Sequence, residues 1–248
     1  GSCIHSIYEN LDFTESDPTQ LEELTREHMD AYGLDSGNFL GAVCDTIRET
    51  LHTPLDPDVS GLTLGSIGEK DRLDEMQFLF PISQDGQGRG QGEALNPARL
   101  AEAFSLAGSK SLPPGYTDRL STLDFSRLRG FLTGFIDLTF VHDERWYIVD
   151  YKSNHLGSKL GDYGQANISE AMMSHHYILQ YHVYTVALHR YLQARMPGYD
   201  YDQHFGGVYY LFIKGMKESL GPENGIFRDR PPRELTEKLS SVFEGVTT

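Results

Sequence analysis

The stretch GFLTGFIDLTFVHDERWYIVDYK, Gly130 to Lys152, decides how this chain folds. Two runs rich in β-branched and aromatic residues flank a polar turn at His142–Glu144, the pattern of a β-hairpin. Side chains alternate faces along a strand. In the second run Trp146, Ile148, Asp150 and Lys152 share one face, and Tyr147, Val149 and Tyr151 the other. In the first run Ile136, Leu138 and Phe140 form an apolar face and leave Asp137 opposite. An acid inside an apolar strand is costly unless it is paired or holds a cation.

D-x-K alone is a weak signal. A surface ion pair at a strand end would explain Asp150 and Lys152, and such pairs contribute little. Asp137 could likewise pair with a neighbouring arginine such as Arg129. Two observations favour chemistry. The flanking residues are too apolar for an exposed location. Two carboxylates meeting across a hairpin also repel each other unless a cation lies between them. Hard oxygen ligands with an open side suit Mg²⁺. A bound metal acidifies its water and neutralises phosphate charge, and a nearby lysine stabilises charge that develops during reaction. D-(x)₁₂-D-x-K on a hairpin therefore reads as a site for metal-dependent phosphodiester hydrolysis.

The rest of the chain supplies a frame. TQLEELTREHMDAYG reads as an acidic amphipathic helix stopped by Gly33, and SGNFLGAVCDTIRETL as a second helix with Phe39, Val43 and Ile47 in register. Asp74–Ile82 reads as a strand ended by Pro81, and PARLAEAFSLAG as a short helix with Pro97 in its first turn. GQGRGQG, Gly86–Gly92, is a flexible loop; no G-x-x-x-x-G-K-[ST] occurs, so no nucleotide-hydrolysing motor is indicated. A long helical run follows the hairpin, as one helix or two. HFGGVYYLFI is a further strand and PPRELTEKLSSVFEGV a closing helix. The expected fold is α/β, with a mixed central sheet flanked by helices.

Charge and cysteine content narrow the classes. The 248 residues carry a net charge of −15, which disfavours nonspecific nucleic-acid binding. Residues 1–60 account for −11 of this, with 13 acids against Arg26 and Arg48 alone. Cys3 and Cys44 are too few for a disulfide framework, a four-cysteine zinc site or an iron–sulfur cluster, and read as buried thiols. With no signal peptide and no apolar run of transmembrane length, the expectation is a soluble cytoplasmic protein with no membrane partner. The missing initiator methionine and structured-looking first residues read as a fragment of a longer chain.

D…D-x-K on consecutive strands resembles the PD-(D/E)xK nuclease superfamily, with Ile136 where its usual proline stands. GFIDL, DYKSNHLG, LQYHVYTVALHRYL and HFGGVYYLF are similar to the C-terminal nuclease domains of RecB-type helicase–nucleases. GSCIHSIYENLDF resembles the G-x-x-x-H-x-x-x-E entry segment of RecB- and AddAB-type nucleases. The likeness runs from Gly1 to about Phe243. It implies a restriction-endonuclease-like fold and one nuclease domain over 1–248, mainly helical over 1–73 with the catalytic α/β core over 74–248. It also implies a site of Asp137, Asp150, Lys152, Glu75, Gln180 and Tyr184. The implied metal ligands are His5, Asp137, Asp150 and the carbonyl of Tyr151. Mg²⁺ is the implied ion, with Mn²⁺ or Ca²⁺ as other occupants. Glu75 would bind the same ion, a second ion or a water, and Gln77 two residues on stands where close relatives suggest an acid. The implied substrate is DNA as single strands, with RecC-like and RecD-like partners.

Plainer readings stand beside these. His5 could be a capping or core histidine, and Glu9 an exposed helix acid. Gln180 and Tyr184, four apart on one helical face, could be half-buried packing residues. Tyr177, Tyr181, Tyr184 and Tyr191 could stack on bases, but their spacing fits helix packing better. His175 and His176 are adjacent and so diverge on a helix. Arg127, Arg129, Lys159 and Lys214 are candidates for phosphate contact, with solvated surface as the default. A restriction-type endonuclease and a non-catalytic DNA-guiding or partner-docking module are the rival functions.

Overall fold

The computed structural model describes residues 1–14, 17–81, 95–106, 112–122 and 131–244. The Gly86–Gly92 loop, Ile82, Arg127 and Arg129 lie outside them. Among the described residues the helices are α1 (Ser2–Asn10), α2 (Pro18–Ala31), α3 (Ser36–His52), α4 (Pro97–Leu106), α5 (Tyr116–Ser121), α6 (Gln165–Ser174), α7 (Tyr177–Arg195), α8 (Tyr201–His204) and α9 (Arg233–Glu244). The strands are β1 (Arg72–Pro81), β2 (Phe131–His142), β3 (Arg145–Lys152), β4 (Phe205–Phe212) and β5 (Ile226–Asp229). They form one mixed sheet in the order β1-β2-β3-β4-β5. The α/β layout read from the sequence is therefore correct.

The chain divides into two compact units. Residues 1–76, 137–171 and 209–228 make the first, and 77–136, 172–208 and 229–248 the second. In the first unit one sheet face carries Leu138 and Phe140 of β2, Tyr147, Val149 and Tyr151 of β3, and Tyr209 and Leu211 of β4. These pack with Cys3 and Ile7 of α1, Leu21 and Met29 of α2, and Cys44, Ile47 and Leu51 of α3. One half of the strand alternation thus faces the N-terminal helices, and the other half carries Asp137, Asp150 and Lys152 together with buried apolar residues such as Ile148 and Phe212. Both cysteines are free and buried, as expected. Phe39 departs from its expected register: it is 59% exposed, because the buried stripe of α3 begins one turn later.

Capping sets the helix starts. Asp17 accepts from Thr19 N at 2.9 Å with Pro18 behind it, and Asp35 accepts from Asn38 N at 3.1 Å. A buried clamp ties the end of α1 to β1. Arg72 donates to Leu11 O at 2.7 Å, pairs with Asp74 at 3.2 Å and lies 3.8 Å over the Phe13 ring. Replacing Arg72 by Ala leaves a half-buried carboxylate and a carbonyl without their donor. The expected cost is about 3 kcal/mol, read from the urea midpoint.

The second unit packs Phe78 and Phe80 of β1 against helices. Phe78 meets Tyr184 of α7 edge-on at 5.7 Å, and Phe80 meets Phe243 of α9 at 5.5 Å. Tyr181 is fully buried and donates to Asp229 at 2.7 Å. It is a packing residue rather than a stacking platform. The helical run after the hairpin is two helices. The break comes at His176, whose φ of +57° cannot continue an α-helix. β5, α5 and α8 are short elements that the sequence reading did not contain, and β4 starts at Phe205 because His204 ends α8.

Candidate metal centre

The hairpin sets the geometry. In the antiparallel β2–β3 ladder Leu138 stands opposite Val149, Thr139 opposite Ile148 and Phe140 opposite Tyr147. The turn is Asp143–Glu144, both at positive φ (48° and 63°), as a two-residue hairpin requires. One further step of the same register sets Asp137 across from Asp150. The two carboxylates interact: the charge of Asp137 raises the pKa of Asp150.

Asp150 is only 2% exposed. Burial is the main cause, and Asp137 the second, of a carboxyl pKa pushed up to about 7, against the lowering effect of Lys152. The ammonium of Lys152 pairs with Asp150 Oδ1 and lies 5.0 Å above the ring of Tyr210. Beyond this ion pair Oδ1 accepts no hydrogen bond among the described residues, so the buried carboxylate leans on Lys152.

α1 supplies the second half of the site. His5 Nε2 is 2.8 Å from Tyr151 O, and its Nδ1 is 3.7 Å from Asp137 Oδ1. A carbonyl only accepts, so Nε2 carries the proton. Asp137 Oδ2 accepts from Tyr151 N at 2.9 Å. The stacked rings of Tyr8 and Tyr151, 4.2 Å apart and 9° from parallel, hold α1 against β3. His5, Asp137, Asp150, Lys152 and the Tyr151 carbonyl are therefore brought together from distant parts of the sequence.

The arrangement is not a closed ligand shell. Among the described residues no three His, Cys, Asp or Glu side chains form a group that could hold a metal ion. The donor set nevertheless fits a divalent cation. The Nε2–H proton lies between two atoms that could both ligate, and the buried Asp150 carboxylate has Lys152 as its one cationic partner among the described residues. Two carboxylates, a carbonyl and one imidazole suit a hard ion of the Mg²⁺ or Mn²⁺ class.

Other expected residues fall elsewhere. Glu75 is exposed on β1 with φ +48°, a conformation costly for a side-chain-bearing residue. Its neighbour Asp74 is the acid turned inward, held by Arg72, and burial raises its pKa. Nothing in the sequence distinguished this adjacent pair except strand alternation, which favours Asp74 on the face of Met76, Phe78 and Phe80. Gln180 and Tyr184 belong to the second unit, where Gln180 Nε2 donates to Tyr184 Oη at 2.8 Å. Glu9 is exposed. Tyr210 beneath Lys152 was missed, because an alternating strand gives no sign of which aromatic meets which lysine.

Comparison with known proteins bears on the family. RecBCD enzyme subunit RecB of Escherichia coli is 37% identical over 250 residues, covering 100% of this chain. Over its whole length the chain is similar to the C-terminal part of RecB. RecB of Haemophilus influenzae is 37% identical across 98% of the chain, and RecB of Mycobacterium tuberculosis 35% across 98%. The chain matches the C-terminal part of RecB and spans about a fifth of the length of these relatives (19%, 18% and 23%). No protein-family model matches it. Among the described residues no helix is long and apolar enough to cross a membrane.

Proposed function

We propose that this chain is the metal-dependent deoxyribonuclease domain of a RecBCD-type helicase–nuclease, with a PD-(D/E)xK fold in which residues 1–248 work as one domain. Its substrate is DNA, as single strands delivered by a motor, and its role is processing of double-strand breaks in recombinational repair. RecC-like and RecD-like subunits are its partners, in the cytoplasm. One observation carries the reading: Asp137, Asp150 and Lys152 meet on adjacent strands beside His5 and the Tyr151 carbonyl. The RecB relatives support it independently. The non-catalytic alternative has to explain why a scaffold would bury Asp150 against the repelling carboxylate of Asp137.

His5, Asp137, Asp150 and the carbonyl of Tyr151 would hold Mg²⁺. The ion would supply an acidified water and charge neutralisation at the phosphate. The chain's own residues do the rest. To ligate through Nε2, His5 would take the tautomer with its proton on Nδ1, which faces Asp137 Oδ1 at 3.7 Å. Lys152, held over Tyr210, directs its ammonium toward the bridging or leaving oxygen as negative charge grows there. Burial on this face of β3 excludes bulk water and strengthens both interactions. Glu75 and the Gln180–Tyr184 pair are proposed to assist substrate or water positioning.

Two measurements test the proposal. The chain is expected to cleave labelled single-stranded DNA in Mg²⁺, and Asp137→Ala is not; equal activity in the two overturns the mechanism. Mg²⁺ should also raise the melting temperature, with the midpoint of the titration moved at least about 10-fold higher by His5→Ala. An unchanged midpoint would remove His5 from the ligand set.

A further inference from the structure

The chain carries −15, and several bases of its first unit are paired with carboxylates. In the first unit Arg48, Arg72, Lys152, Lys217 and Arg228 each have a carboxylate partner. Lys159 and Lys214 have no ion pair among the described residues, and both are exposed. Lys159 precedes the 3-10 turn Leu160–Tyr163 that follows β3, and Lys214 lies in the 3-10 turn Ile213–Gly215 that follows β4. These two turns pack directly against each other.

The packing is built in detail. A Cβ on Gly215 would fall inside the Tyr163 side chain, so only glycine allows the approach. Gly225, at φ +78°, donates to Tyr163 O at 2.9 Å and accepts from Phe212 N at 2.7 Å. Asn224 Nδ2 donates to Gly215 O at 2.5 Å, and Gln165 Nε2 to Ile226 O at 2.9 Å. Asp162, the nearest acid in sequence to Lys159, spends Oδ2 on the Lys159 backbone N–H at 2.8 Å, inside the turn. The platform is therefore stiff, and among the described residues neither of its ammonium groups is in an ion pair.

Its position relates it to the catalytic lysine. Lys152 is the last residue of β3 and sits over Tyr210 of β4. From Tyr210 two strand steps and two 3-10 steps reach Lys214, about 11 Å along the backbone. A strand of DNA whose phosphate lies at Lys152 can thus pass over the platform. We propose that Lys159 and Lys214 form a backbone-phosphate clamp for single-stranded DNA, holding the strand beside the cleavage site without reading its bases. Ammonium groups on flexible stems suit this task, as point charges to phosphate. The inference rests on the nuclease reading for the identity of the ligand.

Binding of a fluorescent oligothymidylate to the chain in EDTA tests the clamp apart from cleavage. Each phosphate contact to single strands contributes about 0.7 to the slope of log Kobs against log salt. Lys159→Ala and Lys214→Ala should each lower the slope by about 0.7, and the double variant by about 1.4. Lys→Arg at each position should restore it, and Lys70→Ala, an exposed lysine elsewhere in the unit, should not change it. In Mg²⁺ the double variant should raise KM with kcat and the Mg²⁺ melting shift unchanged. A wild-type slope in the double variant, or no binding by the wild type at low salt, overturns the clamp. Binding that depends on these lysines without any Mg²⁺-dependent cleavage would overturn the nuclease reading and leave the clamp standing.

Discussion

Asp150→Asn is expected to abolish Mg²⁺-dependent cleavage while making the metal-free protein more stable. The activity loss should be on the order of 10³-fold or more, since a proposed carboxylate ligand and the partner of Lys152 both go. The stability gain follows from the raised pKa. In the unfolded chain the carboxyl has an ordinary value near 3.8, and in the folded protein about 7. The folded state therefore binds this proton more tightly. Its stabilising effect is complete below about pH 4 and lost as pH rises through about 7. Over that window the loss is on the order of 4 kcal/mol. Asparagine resembles the protonated form and carries no such loss, so at pH 8 the variant should exceed the wild type by roughly 2–4 kcal/mol in EDTA. Near pH 4 the two should converge. Mg²⁺ should narrow the gap at pH 8 by stabilising only the wild type. Urea unfolding at both pH values, with and without Mg²⁺, checks each element. A variant less stable than the wild type at pH 8 would mean that the ion pair with Lys152 outweighs burial and Asp137.

Lys152→Met should give the opposite stability effect with a similar activity loss. The methionine fills the space beside Tyr210 but leaves Asp137 and Asp150 facing each other with no cation. Stranding a buried carboxylate in this way costs about 3–5 kcal/mol. The cost should appear above pH 7 and fade below about pH 5, where Asp150 is protonated. Cleavage at saturating Mg²⁺ should fall about 10²–10³-fold, as for loss of one preorganised donor. Because Lys152 is not among the proposed ligands, Mg²⁺ should still raise the melting temperature, and by more than in the wild type. Loss of that response would make Lys152 a requirement for ion binding rather than for the reaction. One dead variant that is more stable and another that is less would separate the two halves of the D-x-K pair.

Much of this was legible before any coordinates. Period-two alternation predicted which faces of β2 and β3 are apolar, because burial on one side of a sheet constrains every second residue. The N-terminal helices were legible from their amphipathic pattern and the stop at Gly33, while the Asp17 and Asp35 caps came from the structure. Phe39 was misassigned because a helical stripe marks a face but not the turn at which the core begins. The break between α6 and α7 was left open because a left-handed histidine carries no composition signal, and the four-residue β5 is too short for a period. Of the site, the hairpin alone pointed to Asp137, Asp150 and Lys152. His5 and the Tyr151 carbonyl entered only by resemblance, since no spacing rule links residues 146 positions apart.

What the sequence determined by itself was local: strand faces, helix caps, an excess of acid, and three polar groups on one hairpin. What only the tertiary structure decided was which groups meet and how far each is desolvated. Asp137 and Asp150 are both aspartates in apolar strands, yet Asp150 is sealed beside Lys152, where burial and Asp137 raise its pKa, while the 18% exposed side chain of Asp137 holds the Tyr151 amide. Desolvation depends on every neighbour in three dimensions, and its energy is not a property of any window of the chain. The same reason hid the platform of Lys159 and Lys214, which exists because Gly215 lets two turns touch.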